Sequence, residues 1–229
     1  MAEDDRGGRG LEIAEPESAL QRAGPGGGDG LPHPLLAVLE RLRSALDQER
    51  AEAPALCAEL MALPAEAALE QIRRQARFQT WGLCELLLAK SAEPPDPEGT
   101  GRAGRLAALA LAGAERLDLT RHAPAVVEDL KARAWATLGE ARRAAADLPG
   151  AEEALRAAAA CLSHGTGDLL VEARLLEFEA GVRRGQGRQG EAAALLKLAA
   201  ARYRQTGELE RMKRVLAERE DILLDRRLP

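Results

Sequence analysis

Histidine and cysteine are the side chains that most often bind metals, and this sequence has few of either. The 229 residues include three histidines and three cysteines. His33, His122 and His164 lie far apart in the sequence, and none has the spacing to a cysteine or carboxylate that zinc ligands usually show. We therefore expect no metal site, and no cofactor.

The cysteines are predicted to be structural residues with free thiols. Cys57, Cys84 and Cys161 are scattered, odd in number and set among apolar neighbours. This is typical of small buried side chains in a reducing compartment. No signal peptide is visible at the N-terminus, and no apolar run approaches the length of a membrane span. We predict a cytoplasmic protein with no membrane partner.

The sequence has no pattern typical of acid–base catalysis or of phosphate binding. The acidic pairs at 152–153 and 220–221 are adjacent, so on a helix they point in different directions, whereas catalysis needs carboxylates that converge on one pocket. The glycine-rich runs at 24–30 and 99–104 lack the preceding strand and the Lys-Ser/Thr of a phosphate loop. We predict that the chain is not an enzyme.

Charge is distributed unevenly along the chain. The formal net charge is −5, of which residues 1–31, with seven acids and three arginines, supply −4. The balance argues against a dedicated nucleic-acid binder, which would have a basic footprint. Residues 1–32 also hold eight of the 22 glycines. We predict a disordered tail over residues 1–32, with a short helix near 17–22 as an alternative.

The remaining composition predicts an all-α fold. Hydrophobic residues make up 46% of the chain but aromatic residues only 2%, so the core must consist mainly of Ala and Leu, which favour helices. Apolar spacing predicts a first helix from Pro34 to about Arg50, a second beginning at Pro54 and a third over 67–77. We group residues 33–77 as an N-terminal helical module. Further helices are predicted near 78–91, 102–117, 123–146, 149–163, 168–186, 189–205 and 208–226.

Residues 135–158 resemble the tetratricopeptide repeat signature. Large and small residues occur where two packed helices of that repeat need them, and a second copy follows 41 residues later. The matching positions are Trp135, Leu138, Gly139, Ala151, Leu155 and Ala158 in the first copy, and Ala180, Ala192, Leu196 and Ala199 in the second. A weaker copy begins at Trp81.

The resemblance is to the long-repeat variety found in large bacterial tetratricopeptide proteins. It implies an α-solenoid of antiparallel helix pairs, with repeats over residues 78–207. Residues 208–229 then form a charged capping helix, which repeat arrays need at their end.

The resemblance also implies a function. First helices of successive repeats line a concave groove in this family, and carrying those positions over gives Arg133, Glu140, Arg143, Arg174, Glu177 and Arg184. The arginines could form bidentate hydrogen bonds with carboxylates of a short acidic segment of a partner protein. The chain would then be an interaction scaffold or adaptor. Equally, these arginines could pair with neighbouring glutamates and serve solubility alone.

Two other functions stay open from the sequence. A cluster of Arg73, Arg74 and Arg77 could make residues 34–77 part of a regulator in a transcription- or nucleic-acid-linked assembly. Leucines on the helices of residues 34–63 could instead pair two chains in a self-associating structural protein.

Overall fold

The structure is a computed structural model that describes residues 33–93 and 101–225. These residues form α-helices and one 3₁₀ turn, with no β-strand among them, so the expected all-helical class is confirmed. The predicted tail, residues 1–32, lies outside the described residues, as do residues 94–100 and 226–229. The helices are α1 (His33–Met61), α2 (Ala65–Arg74), α3 (Trp81–Ser91), α4 (Arg102–Ala114), α5 (Pro124–Ala144), α6 (Leu148–Leu162), α7 (Leu169–Gly185), α8 (Gln189–Gln205) and α9 (Leu209–Asp225), and the 3₁₀ turn is Ala76–Phe78.

The prediction of two helices before residue 62 is wrong, because α1 runs without a break from His33 to Met61 with Pro54 inside it. Proline removes one backbone hydrogen bond and usually ends or kinks a helix. Here Pro54 is exposed, while Ala53, Cys57 and Leu60 are buried on the other side. The packed face continues through the proline, and water can solvate the carbonyl group that loses its donor.

Packing divides the chain into two units, with the boundary between Leu42 and Arg43 inside α1. In the first unit, the described residues are one helical segment whose large apolar side chains are exposed. In the second unit, each helix from α3 to α9 packs against the next along the chain. Helix α5 also packs against α3 and α7, and α2 packs against α4.

Left-handed residues end three of these helices. Gly187 and Gly207 have φ angles of 76° and 78°, and in both the following amide bonds back to the carbonyl five residues earlier. Ala146 repeats this arrangement at φ 62°, where its Cβ is strained. Asp147 and Asp168 then begin α6 and α7 by accepting hydrogen bonds from backbone amides of the first turn.

The positions assigned to repeat packing lie mainly in the core. Gly139 is buried where α5, α6 and α7 meet, and a Cβ added there would lie 2.1 Å from Cζ of Phe178. Glycine therefore permits a close approach that no larger residue would allow. Trp135 and Leu138 are half-buried. The other seven positions are buried: Ala151, Leu155, Ala158, Ala180, Ala192, Leu196 and Ala199.

Candidate functional site

A cavity of about 450 Å³ lies between α3, α5, α7 and α9, and we call it the cavity from here on. Its volume falls in the range of ordinary ligand sites. All six residues that the repeat resemblance assigned to a groove line it: Arg133, Glu140, Arg143, Arg174, Glu177 and Arg184.

Sequence reasoning missed three further charged residues of the cavity. Arg211, Arg214 and Glu218 come from α9, which the sequence assigned only a capping role. A signal was present, since Arg211 follows Arg174 by 37 residues, close to the 41 residues that separate Arg174 from Arg133. Helix α9 therefore lines the cavity together with α5 and α7.

The cavity has an apolar floor. Ala132, Val171, Leu175 and Phe178 line it and are each at most 8% exposed. The charged residues that line the cavity are half-buried, except Arg184 and Arg214, which are exposed. Such a mixture can bury part of a ligand and still fix its charged groups.

Three of the arginines are neutralised by carboxylates within the protein. The N–O distance is 2.8 Å for Arg143 with Glu140 and 2.7 Å for Arg214 with Glu177. Arg184 pairs with Glu218 at 3.3 Å. The second and third of these pairs join α7 to α9 and thus hold one wall of the cavity together.

The charges of the other three arginines are balanced by far fewer nearby carboxylates. Among the residues that the structure describes, Arg133 and Arg174 have no carboxylate within 4.0 Å. Nε of Arg174 is buried without a hydrogen-bond partner. Arg211 pairs with the half-exposed Glu208 at 3.5 Å and also hydrogen-bonds to the side chain of Tyr203. Burial, and then the like charges of Arg211 and Arg133, lower the pKa of Arg174.

The carboxylates of the cavity are also constrained. The pKa of Glu140 is raised, because burial and the nearby charges of Glu177 and Glu218 outweigh the effect of Arg143. The hydroxyl of the buried Tyr203 donates a hydrogen bond of 2.7 Å to Glu177. Burial and this contact raise the pKa of Tyr203, so its hydroxyl remains a donor.

The histidines and cysteines lie elsewhere. The ring of His122 stacks on Trp81 at 5.4 Å, and Nδ1 of His164 is 2.9 Å from the carbonyl oxygen of Ala160. Burial raises the pKa of Cys84 to about 12 and that of Cys161 to about 11. No group of three or more potential metal ligands occurs in the described ranges.

The N-terminal arginine cluster carries less free charge than its sequence suggests. Arg74 forms an ion pair with Glu70, and Arg77 forms one with Glu59. The guanidinium of Arg77 also lies 4.4 Å from the centre of the Phe78 ring. Two of the three arginines are therefore occupied within the protein and offer less to a phosphate backbone.

No helix among the described residues is long and apolar enough to cross a membrane. Comparison with family models finds no match, and neither curated proteins nor solved structures show significant similarity to the chain.

Proposed function

We propose that this chain is a non-enzymatic adaptor, built of tetratricopeptide-like helix pairs, that binds a short acidic segment of a partner protein in the cavity. The packing order supports the repeat arrangement. Links of three residues join α5 to α6 and α7 to α8, which favours antiparallel pairs, and α5 contacts both α3 and α7. Alternate helices in contact are expected when first helices of successive repeats stand side by side.

The observation that carries the binding function is the charge of the cavity. Six arginines and three glutamates line it, a formal excess of three positive charges, on a protein whose net charge is −5. Arginine is suited to carboxylate recognition because its planar donors form bidentate bonds. An acidic segment would supply the missing negative charge, and the apolar floor would take up its less polar atoms.

The test uses a fluorescein-labelled peptide of about eight residues rich in Glu and Asp, with a neutral Gln/Ser peptide of equal length as control. Anisotropy should show that the acidic peptide binds and that Arg174→Glu weakens it at least tenfold, as expected for loss of a charge-assisted hydrogen bond of about 1.5–3 kcal/mol. Arg204→Glu is the matched control, because Arg204 is exposed on α8 and does not line the cavity.

Two results would refute the proposal. One is equal binding of the acidic and neutral peptides to the native chain. The other is an equal loss of acidic-peptide affinity in Arg174→Glu and Arg204→Glu, which would mean that the cavity is not the binding surface.

A second function is favoured by a separate observation. In the first unit, Leu35, Leu39 and Leu42 are each 48–49% exposed on one helical segment. Apolar side chains grouped in this way are typical of surfaces that pair with another protein, and a second copy of the chain is the simplest partner. Sedimentation velocity over a hundredfold concentration range tests this, and a constant monomer would eliminate it.

A further inference from the structure

Three of the cavity helices each contribute one arginine that has little or no carboxylate compensation. Arg133 lies in α5, Arg174 in α7 and Arg211 in α9, separated by 41 and 37 residues, and all three line the cavity. We call these three residues the arginine layer. Each comes from a different helix, and Arg133 and Arg211 lie close enough to Arg174 for their charges to act on it.

The arginine layer differs electrostatically from the other end of the cavity. Ten residues further along α5 and α7 lie Arg143 and Arg184, which Glu140 and Glu218 neutralise. At 1.5 Å per residue, the two ends are about 15 Å apart, the length of four or five extended residues. The charge excess of the cavity is thus concentrated at one end.

The arginine layer also has unused hydrogen-bonding capacity. Nε of Arg174 is buried and has no acceptor, and Arg133 has no carboxylate partner within 4.0 Å among the described residues. Burial, and then the like charges of Arg211 and Arg133, disfavour the charged form of Arg174 and lower its pKa. A ligand with strong negative charge would stabilise the charged form of these arginines, and its acceptor oxygens could accept hydrogen bonds from their free N–H groups.

We propose that the arginine layer binds a phosphoryl group carried on a side chain of the partner segment. A carboxylate has one charge and two oxygens, which a single guanidinium can satisfy in bidentate geometry. A phosphoryl group carries about −1.5 to −2 charges and three acceptor oxygens, so it can accept from all three helices at once. This inference rests on the proposed function, since it names the group on the partner that the cavity recognises.

The experiment uses three fluorescein-labelled peptides that share one Glu-containing host sequence and differ at one central position: Ser, Asp or phosphoserine. Anisotropy titrations should give the tightest binding for phosphoserine, at least tenfold tighter than for Asp. Arg174→Gln and Arg133→Gln should each reduce this preference to threefold or less, and Arg204→Gln should preserve it. Thermal unfolding by circular dichroism checks that each variant is folded.

Competition with inorganic phosphate tests whether the ligand is a phosphorylated side chain or a free phosphate ion. If a peptide side chain is the ligand, millimolar phosphate should only partly displace the phosphoserine peptide, since the remaining peptide contacts add affinity. Phosphate that binds as tightly as the phosphopeptide would overturn the assignment in favour of a free anion.

The remaining outcomes separate this inference from the proposed function. Equal binding of the Asp and phosphoserine peptides, with both weakened by Arg174→Gln, would overturn the phosphoryl assignment and leave acidic-segment binding intact. Failure of all three peptides to bind more tightly than a neutral peptide would overturn both. A preference for phosphoserine that survives Arg174→Gln and Arg133→Gln would place the phosphoryl group outside the arginine layer.

Discussion

Replacing Gly139 by alanine tests whether close helix approach holds the floor of the cavity in place. The added Cβ would lie 2.1 Å from Cζ of Phe178, 2.7 Å from its Cε1 and 3.0 Å from Cβ of Ala154. Ordinary carbon contacts are about 3.5–4.0 Å, so the ring would have to retreat by about 1.5 Å. Phe178 is only 2% exposed and is packed among other core residues, which leaves it little room.

The expected loss of folding stability in Gly139→Ala is the difference between two opposing effects. Overpacking of a core costs about 1–3 kcal/mol, and the short distance places this case near the upper end. Alanine in a helix interior recovers about 1 kcal/mol relative to glycine. Gly139→Ala should therefore lower the free energy of unfolding by about 2 kcal/mol, or lower Tm by about 4–8 °C.

Gly181→Ala provides a matched control in α7. The atoms nearest to a Cβ at that position belong to the side chains of Arg143, at 3.1 Å, and Glu140, at 3.4 Å. Because these flexible side chains can move toward the cavity, helix propensity should dominate. The same substitution is then expected to stabilise the protein by about 0.5–1 kcal/mol.

Chemical denaturation followed by far-UV circular dichroism measures both variants. Phe178→Leu should partly rescue Gly139→Ala, because leucine lacks the ring atoms in conflict, and a double-mutant cycle should give a coupling of about 1–2 kcal/mol. The reasoning is refuted if Gly139→Ala is as stable as the native chain, or if the two changes are additive within about 0.5 kcal/mol.

Three further changes test local features by the same denaturation measurement. Ala146→Gly should raise the free energy of unfolding by about 0.5–1 kcal/mol because it relieves left-handed backbone strain. Gly187→Ala should lower the free energy of unfolding by about the same amount, and a change of the same sign in both variants would contradict this reasoning. Tyr203→Phe should cost about 1 kcal/mol through the lost bond to Glu177, and no change would contradict it. The Lys131 side chain lowers the pKa of Glu128, so this pair stabilises the fold above the usual glutamate pKa and less as pH falls through the lowered value. Lys131→Met should therefore cost about 0.5–1 kcal/mol at pH 7 and almost nothing well below pH 4; a constant difference would show that the ion pair is not its cause.

Helix positions were largely predictable because their signals are local. Left-handed glycines follow the ends of α7 and α8, aspartates cap the starts of α6 and α7, and the predicted span 189–205 coincides with Gln189–Gln205. Pro54 was misread because the effect of a proline depends on what the rest of its helix buries, which lies far away in sequence. The tetratricopeptide identity and the adaptor function stay predictions.

Sequence alone determined that the chain is helical, through its Ala- and Leu-rich composition, and it identified six charged residues that line one cavity. Only the tertiary structure decided which arginines are neutralised. Glu218 reaches Arg184 from 34 residues away, and Glu177 reaches Arg214 from 37 residues away. An ion pair depends on distance across packed helices, which no spacing along one helix reveals. Arg174 is left without a carboxylate partner among the described residues for that reason, and only the tertiary structure shows that α9 lines the cavity.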